Sequence, residues 1–202
     1  MLALLLALSF AGCSGSTAMT EKNVTATVDS AFDALKRFDT KKLEKYVDSK
    51  TLSVIITYAN KHDQFADLGK ALFKNLEYNI DSIDLDAKTV TVSVRNKDLK
   101  DTASAFTKAL VSKYSALQML GLLNNETWLN TSLKSLTDSI AIAKMQSAPV
   151  SVTLTVTAGK KNLMLGFDDA AENAVSGGAL QAVKSLTSGL TGSKSTTEST
   201  SN

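Results

Sequence analysis

Cysteine, histidine and proline are almost absent from this chain. Its 202 residues include one cysteine, one histidine and one proline. A single cysteine excludes a disulfide within the chain. A domain of about 170 residues buries roughly 70% of the surface that its unfolded chain exposes, so the fold requires neither a disulfide nor a metal.

An excess of charge of one sign is also lacking. The 22 basic and 20 acidic residues are mixed along the chain and give a net charge of +2. Such a balance creates no strong field over the surface, and we therefore expect no nucleic-acid partner. The shares of hydrophobic residues (44%) and charged residues (21%) are those of an ordinary globular protein with one domain.

The chain begins with an uncharged apolar run, MLALLLALSFAG, at residues 1–12. The run is too short to span a bilayer and ends in small residues, which is typical of a signal peptide. A complete signal peptide would carry Lys or Arg near its start, and here Met1 is followed directly by Leu2. We therefore expect that the start of this signal peptide is truncated.

The only cysteine directly follows this run. Ala11, Gly12 and Cys13 resemble the lipobox of bacterial lipoproteins, in which small residues precede a lipidated cysteine. The resemblance implies cleavage between Gly12 and Cys13, and anchoring to the extracytoplasmic side of the membrane by lipid on Cys13. The alternatives are a buried cysteine in a core helix, or an ordinary signal peptide cleaved after Ala18. Residues 13–19 form a polar, flexible tether, which favours the lipoprotein.

Residues 20–190 have the periodicities of one α+β domain. An apolar residue every three or four positions predicts an amphipathic helix that starts at the N-cap Thr20 and ends before Asp39. The same pattern predicts a short helix over residues 41–49, with Val47 on its apolar face. A further helix is predicted around residues 65–76.

Alternation of apolar and polar residues predicts two β-hairpins and therefore at least four strands. The first hairpin covers residues 77–95, with a shift of phase at Ser82. The second covers residues 150–167 and follows the only proline, Pro149. Both hairpins have one apolar face, which indicates an antiparallel sheet packed on helices.

Residues 97–145, between the two β-hairpins, predict a helical hairpin packed on the sheet. Its first helix carries Leu117 on the apolar face, and a GLLNN turn leads to the second helix. A last helix is interrupted at Gly177 and Gly178. The Ser/Thr-rich residues 191–202 predict a disordered tail.

Two stretches of the domain, VDSAFDALKRFDTKKLEKYVDS (28–49) and GFDDAAENAVSGGAL (166–180), resemble a family of bacterial proteins. These are extracytoplasmic lipoproteins with a nuclear transport factor two-like (cystatin-like) domain of unknown function. The resemblance implies a curved antiparallel sheet that packs on N-terminal helices to form a cone. The open end of such a cone can hold a ligand. Some relatives with this fold are enzymes and many are binding or dimerisation modules, so the fold alone does not choose a function.

Two candidate chemical sites carry alternative interpretations. His62 is the only ready general base near neutral pH, but its polar neighbours favour a surface histidine. Asp81, Asp84 and Asp86 carry the oxygen ligands that Ca²⁺ prefers. They lack the loop spacing of a calcium site, and strand alternation separates Asp81 from Asp84, so solvated charges are favoured.

Other notable residues have structural interpretations. Asp168 and Asp169 stand where carboxylates cap the start of a helix. Gly177 and Gly178 lack the Lys-Ser or Lys-Thr pair of a phosphate loop and instead predict a kink or close packing. Packing in the core is favoured over a ligand platform for the only tryptophan and three methionines: Trp128, Met119, Met145 and Met164.

These patterns predict no catalytic, cofactor-binding or metal-binding residue, and lipidation at Cys13 is the one assigned site. We expect a membrane-anchored, non-enzymatic module outside the cytoplasm that binds a small ligand, a peptide or a protein. The alternatives are an enzyme with a pocket inside the cone that no local motif reveals, or a structural domain that dimerises through the sheet.

The lipobox-like sequence gives a direct prediction. When the chain is expressed behind a complete signal sequence, Cys13→Ser should move the protein from the membrane fraction to the medium or periplasm, because no thiol remains to carry the lipid. Fractionation followed by immunoblotting measures the shift. Unchanged retention in the membrane fraction would contradict the assignment of Cys13.

Overall fold

The computed structural model describes residues 17–182. The predicted signal peptide (1–12), the predicted lipidation site Cys13 and the predicted disordered tail (191–202) lie outside the described residues. The helices are α1 (Glu21–Arg37), α2 (Thr40–Tyr46), α3 (Lys50–Ala59), α4 (Asp63–Phe73), α5 (Lys100–Lys113), α6 (Ala116–Leu122), α7 (Glu126–Ile142) and α8 (Asp169–Val175). The strands are β1 (Val47–Asp48), β2 (Glu77–Asp84), β3 (Thr89–Arg95), β4 (Val150–Ala158) and β5 (Leu163–Gly166).

The strands form one five-stranded sheet in the order β1-β5-β4-β3-β2. Strands β2 to β5 are antiparallel, so both predicted β-hairpins are confirmed, as is the α+β class. The short strand β1 adds a parallel edge, with Val47 opposite Leu165. The prediction that placed Val47 in a helix was wrong, because a strand of two residues has no periodicity to detect.

Strand β2 contains the irregularity that the sequence predicts at Ser82. Ile80 lies opposite Val92, but Ser82 lies opposite Thr91, the next residue of β3. Asp81 is therefore the extra residue of a β-bulge, which bends the strand and increases its twist. The predicted shift of phase is confirmed.

The main core lies between α1 and the inner face of the sheet. Thr20 caps α1 by accepting a hydrogen bond from the Asn23 amide, as predicted. Val28, Phe32 and Leu35 on one face of α1 are buried against the valines and leucines of the central strands. Each such side chain contributes about 1.5–3 kcal/mol when it is fully buried, so this face is a principal source of stability.

The segment between the β-hairpins is helical, but it forms three helices instead of two. The predicted long first helix ends at Lys113, and α6 starts after Ser115, whose side chain and that of Gln118 form a capping box. This local capping stabilises a new helix start in a different direction. As a result Leu117, predicted on the apolar face, is 80% exposed.

The side chain of Asn96, at the end of β3, joins the sheet to the helices. Asn96 is fully buried, and its amide group donates to the carbonyl oxygens of Leu72, in α4, at 2.9 Å and of Val175, in α8, at 2.7 Å. Its backbone amide donates to the side chain of Gln146 at 3.1 Å. Four segments distant in sequence therefore meet at one buried side chain.

The two glycines after α8 break the helix, as predicted, and allow a close backbone contact. Gly177 and Gly178 have positive φ angles of 61° and 84°. The carbonyl oxygen of Gly177 accepts from the Leu99 amide at 2.8 Å, and a Cβ at Gly177 would lie 1.8 Å from the Lys97 carbonyl oxygen. Only glycine satisfies both conditions, and this contact fixes the end of α8 against the start of α5.

Gly177→Ala should lower the free energy of unfolding by roughly 1–3 kcal/mol, because the new methyl group combines a strained φ with overlap of the Lys97 backbone. The matched control is Gly121→Ala, where a Cβ meets nothing within 4 Å and alanine favours the helix. Urea unfolding of the two variants measures the difference. Equal stability of the two variants would contradict the close contact.

Tyr78 in β2 packs over α1. Its ring stacks on Phe32 with centroids 4.3 Å apart, and its hydroxyl donates to Asp29 at 2.7 Å. Burial first, then the hydrogen bond to Asp29 and the negative charges of Asp29 and Asp33, raise the pKa of Tyr78 from 10.0 to about 12. The neutral phenol is therefore part of the contact between α1 and the edge of the sheet.

This pKa predicts how stability depends on alkaline pH. The contribution of Tyr78 is fully present below pH 10 and is lost as the pH rises towards about 12, because the unfolded chain releases this proton first. Urea unfolding of the wild type and Tyr78→Phe should show a stability difference that shrinks between about pH 10 and about pH 12. A constant difference would contradict the hydrogen-bonded phenol.

Candidate functional site

A cavity of about 470 Å³ lies among the helices. Its walls come mainly from α3 and α4 on one side and from α5 and α7 on the other, and α6 and α8 complete them. The volume is within the usual range for small-molecule sites, which are concave and predominantly apolar.

The walls follow from the apolar faces of the helices. In α4, Phe65, Leu68 and Leu72 share one face, and in α5 Phe106 and Leu110 do the same. Spacings of three, four and seven residues place these side chains in one stripe. On α5 the stripe also contains two small residues, Ala103 and Thr107, which are buried and line the cavity. Small residues between large ones leave unfilled space.

Several large apolar residues of the wall are only partly buried. Phe65, Leu68, Phe106 and Trp128 are all of intermediate exposure, whereas Phe32 in the core is fully buried. Protein interiors are normally as close-packed as organic crystals. The helical layer therefore departs from close packing at the point where these side chains meet.

The cavity lies beside the core between α1 and the sheet. No residue of β1 to β5 is among the described lining residues, and the nearest contribution from the sheet is Phe167, directly after β5. The walls of this pocket are therefore helical, and the side chains of α1 pack over the sheet beside it.

Helix α6 covers part of the cavity. Met119 and the following Leu123 line it, whereas Leu117 and Leu120 point to solvent with exposed fractions of 80% and 61%. The helix has no charged residue. It is thus a short helix that has apolar side chains both on the side facing the cavity and on the side facing solvent.

Glu172 is the one charged side chain among the described lining residues. It lies in α8 and is 8% exposed. Its Oε1 atom accepts a short hydrogen bond from the Ser49 hydroxyl and another from the Thr51 amide at 3.3 Å. Ser49 also caps α3 by accepting from the Leu52 amide at 3.0 Å. The carboxylate is therefore oriented by the positive end of α3.

His62 lies outside the cavity lining, at the N-terminal end of α4. Its Nδ1 atom is 3.0 Å from Oε1 of Glu126 at the start of α7, and Gln64 donates to the other carboxylate oxygen at 3.0 Å. The hydrogen bonds from His62 and then Gln64 lower the pKa of Glu126. These contacts join α4 to α7.

The expected surface histidine needs correction, because the side chain of His62 is only 13% exposed. It is of intermediate burial, and Phe65 lies beside its ring with centroids 6.3 Å apart. The partner Glu126 is 64 residues away in sequence, so no local pattern indicated the pair.

The acidic residues have the structural surroundings that the sequence predicted. Asp81 accepts from Ser93 at 2.6 Å, and Asp84 accepts from the Ala87 amide in the following turn at 2.8 Å. Within the described range 17–182, no group of three or more His, Cys, Asp or Glu side chains is placed to hold a metal. Asp168 caps α8 through the Ala171 amide at 2.8 Å, and Asp169 lies in the first turn.

Trp128 and Met119 were expected in the packed core, but both line the cavity. Their helical spacing correctly indicated an inward face. Whether an inward face meets other side chains or an unfilled space depends on helices far away in sequence, so no local signal distinguished the two. Met145 and Met164 are partly buried away from the cavity lining.

Every helix within the described residues is too short or too polar to cross a lipid bilayer. The chain matches no protein-family model, no curated protein and no solved structure.

Proposed function

We propose that this protein is an extracytoplasmic lipoprotein, held at the membrane by lipid on Cys13, that binds an apolar or amphipathic small molecule without transforming it. The observation that carries the proposal is the helix-walled cavity of about 470 Å³ with its almost wholly apolar lining. Apolar surface facing a cavity lacks contacts that a ligand of matching shape would supply. Removal of such surface from water stabilises a complex by about 25 cal/mol per Å².

The composition of the wall supports binding over catalysis. Nucleophilic catalysis needs a nucleophile within hydrogen-bonding reach of a base, which a third group orients. The described wall combines hydroxyl groups with a single carboxylate, that of Glu172. The only histidine, His62, instead bonds to Glu126 at the outer end of α4 and α7.

The proposal includes the nuclear transport factor two-like (cystatin-like) domain type. An amphipathic N-terminal helix packed on one face of a mainly antiparallel sheet supports it, as does the bulge at Asp81 that bends β2. In this proposal, the helices α5 to α7 inserted between the β-hairpins are the ligand-binding elaboration. They supply most of one side of the cavity, including Phe106 and Trp128.

The attachment point supports a cavity that faces away from the anchor. The Thr17 hydroxyl donates to the Lys161 carbonyl at 2.7 Å, which places the start of the domain at the turn between β4 and β5. From Glu21 to Leu35, which lines the cavity, α1 spans about 20 Å at 1.5 Å per residue. With three residues between them, Cys13 and Thr17 can be at most about 14 Å apart. We infer that the ligand enters from the side distant from the lipid.

A variant that fills the cavity tests the proposal. Ala103→Phe adds a ring to a buried wall position of α5, so it should abolish binding of the neutral fluorophore N-phenyl-1-naphthylamine while leaving the protein folded. The probe's own emission and energy transfer from Trp128, the only tryptophan, report binding in the full chain. A loss of at least about tenfold in affinity, or about 1.4 kcal/mol, is expected.

Ala105→Phe is the matched control, because Ala105 lies on the same helix but is exposed and does not line the cavity. It should bind the probe as the wild type does, and circular dichroism should show both variants folded. Absence of probe binding to the wild type, or equal binding by both variants, would refute the cavity as a binding site.

A further inference from the structure

We infer that the cavity takes an unbranched hydrocarbon chain, tail first, through its end at α6, and that the polar head of the ligand stays in solvent. This inference rests on the proposed function and specifies the ligand class as single-chain amphipaths. It follows from the way the lining helices meet, from the change in burial along them and from the bonding of the polar groups in the wall.

Helices α4, α5 and α7 have one end in common, at Asn96 and Lys97. The Asn96 side chain donates to the Leu72 carbonyl in the last turn of α4 at 2.9 Å. The Lys97 ammonium donates to the Ile140 carbonyl in the last turn of α7 at 2.9 Å. Helix α5 starts three residues further on, at Lys100. The end of α4, the start of α5 and the end of α7 are therefore held together.

The opposite ends of these helices meet beside α6. His62 Nδ1 at the start of α4 is 3.0 Å from Oε1 of Glu126 at the start of α7, and Gln64 donates to Asn130 at 2.6 Å. Helix α6 joins the end of α5 to the start of α7 along the chain. The cavity therefore has two different ends, one at Asn96 and one at α6.

The cavity is long in the direction of the helices. Its lining residues on α7 and beside α5 run from Trp128 to Ile140 and from Leu99 to Val111. Each run covers about 18 Å at 1.5 Å per residue. An extended chain advances about 1.2 Å per bond, so ten carbons span about 11 Å and fit within this length.

Burial changes from one end of the cavity to the other. At the Asn96 end, the lining residues Phe73, Leu99 and Ile140 are each at most 3% exposed. At the α6 end, Met119 and Trp128 are only partly buried. The Asn96 end is therefore closed, and a ligand enters from the α6 end.

The polar groups that α3 and α8 bring to the wall bond within the protein. Ser176 donates to the Asn173 carbonyl at 3.0 Å and accepts from the Leu180 amide at 3.2 Å, while Ser49 and Glu172 bond to each other. The surface that faces the cavity is almost wholly apolar. A ligand hydroxyl that leaves water without a new partner costs free energy. The part of the ligand that reaches the closed end must therefore be apolar, and its polar head is most stable outside.

Two isomeric diols test whether one end of the ligand must be apolar. Decane-1,2-diol carries both hydroxyls at one end, whereas decane-1,10-diol carries one at each end. Each competes with N-phenyl-1-naphthylamine for the full chain, at concentrations below micelle formation. We expect the 1,2-isomer to bind at least about tenfold more tightly, equivalent to about 1.4 kcal/mol. Equal affinities, or tighter binding of the 1,10-isomer, would overturn the inference.

Quenching of Trp128 tests the direction of entry, because this only tryptophan lines the cavity at its open end. Stearic acid labelled with a nitroxide on carbon 5 or on carbon 16 supplies the quencher near the head or near the tail. At equal occupancy, we expect the carbon-5 label to quench Trp128 more strongly. Ala103→Phe should abolish the quenching by both labels, and Ala105→Phe should leave it unchanged. Equal quenching by the two labels, or stronger quenching from carbon 16, would overturn the inference.

The outcomes separate this inference from the proposed function. Tighter binding of the 1,2-diol together with stronger quenching from carbon 5 supports it. If the fluorophore binds but either comparison fails, the inference is overturned and the cavity is still a binding site. If neither the fluorophore nor any of the chain ligands binds, both the inference and the proposed function are overturned.

Discussion

The buried side chain of Asn96 is the interaction on which the placement of the helices depends. Its amide holds the carbonyl oxygens of Leu72 and Val175, in the last turns of α4 and α8, against the end of β3. Each of these buried carbonyls would lose its partner if the amide were absent, and an unsatisfied buried polar group costs about 1–3 kcal/mol. The next residue, Lys97, packs its carbonyl against Gly177. One short segment thus sets where α4, α5 and α8 lie, and those helices bound the cavity.

This arrangement divides the molecule into a close-packed part and a loosely packed part. Between α1 and the sheet, side chains such as Phe32 and Leu165 are fully buried. Among α4, α5 and α7, large side chains such as Phe106 and Trp128 keep accessible surface that faces the cavity. Burial in the first part supplies stability that does not depend on filling the second part. The fold can therefore keep an unfilled apolar cavity. A protein with only one small core would lack the stability to do so.

The sequence predicted those features whose causes are local. The cap at Thr20, the shift of phase at Ser82, the cap at Asp168 and the interruption at Gly177 were all confirmed, because each depends on neighbours within a few residues. The strand containing Val47 was missed, since its pairing with Leu165 joins positions 118 residues apart along the numbering. The contact of His62 with Glu126 and the cavity itself escaped prediction for the same physical reason: both arise where helices distant in sequence meet.

Among the helices that line the cavity, α6 has the least stability in the absence of its contacts with the rest of the protein. Seven residues are far fewer than an isolated helix needs in water, so its capping box at Ser115 and the inward packing of Met119 hold it in place. On its outer side, Leu117 and Leu120 gain nothing from burial. Local opening in proteins occurs first where buried apolar contacts are few. Opening at α6 would therefore disturb neither the core under α1 nor the contacts of Asn96.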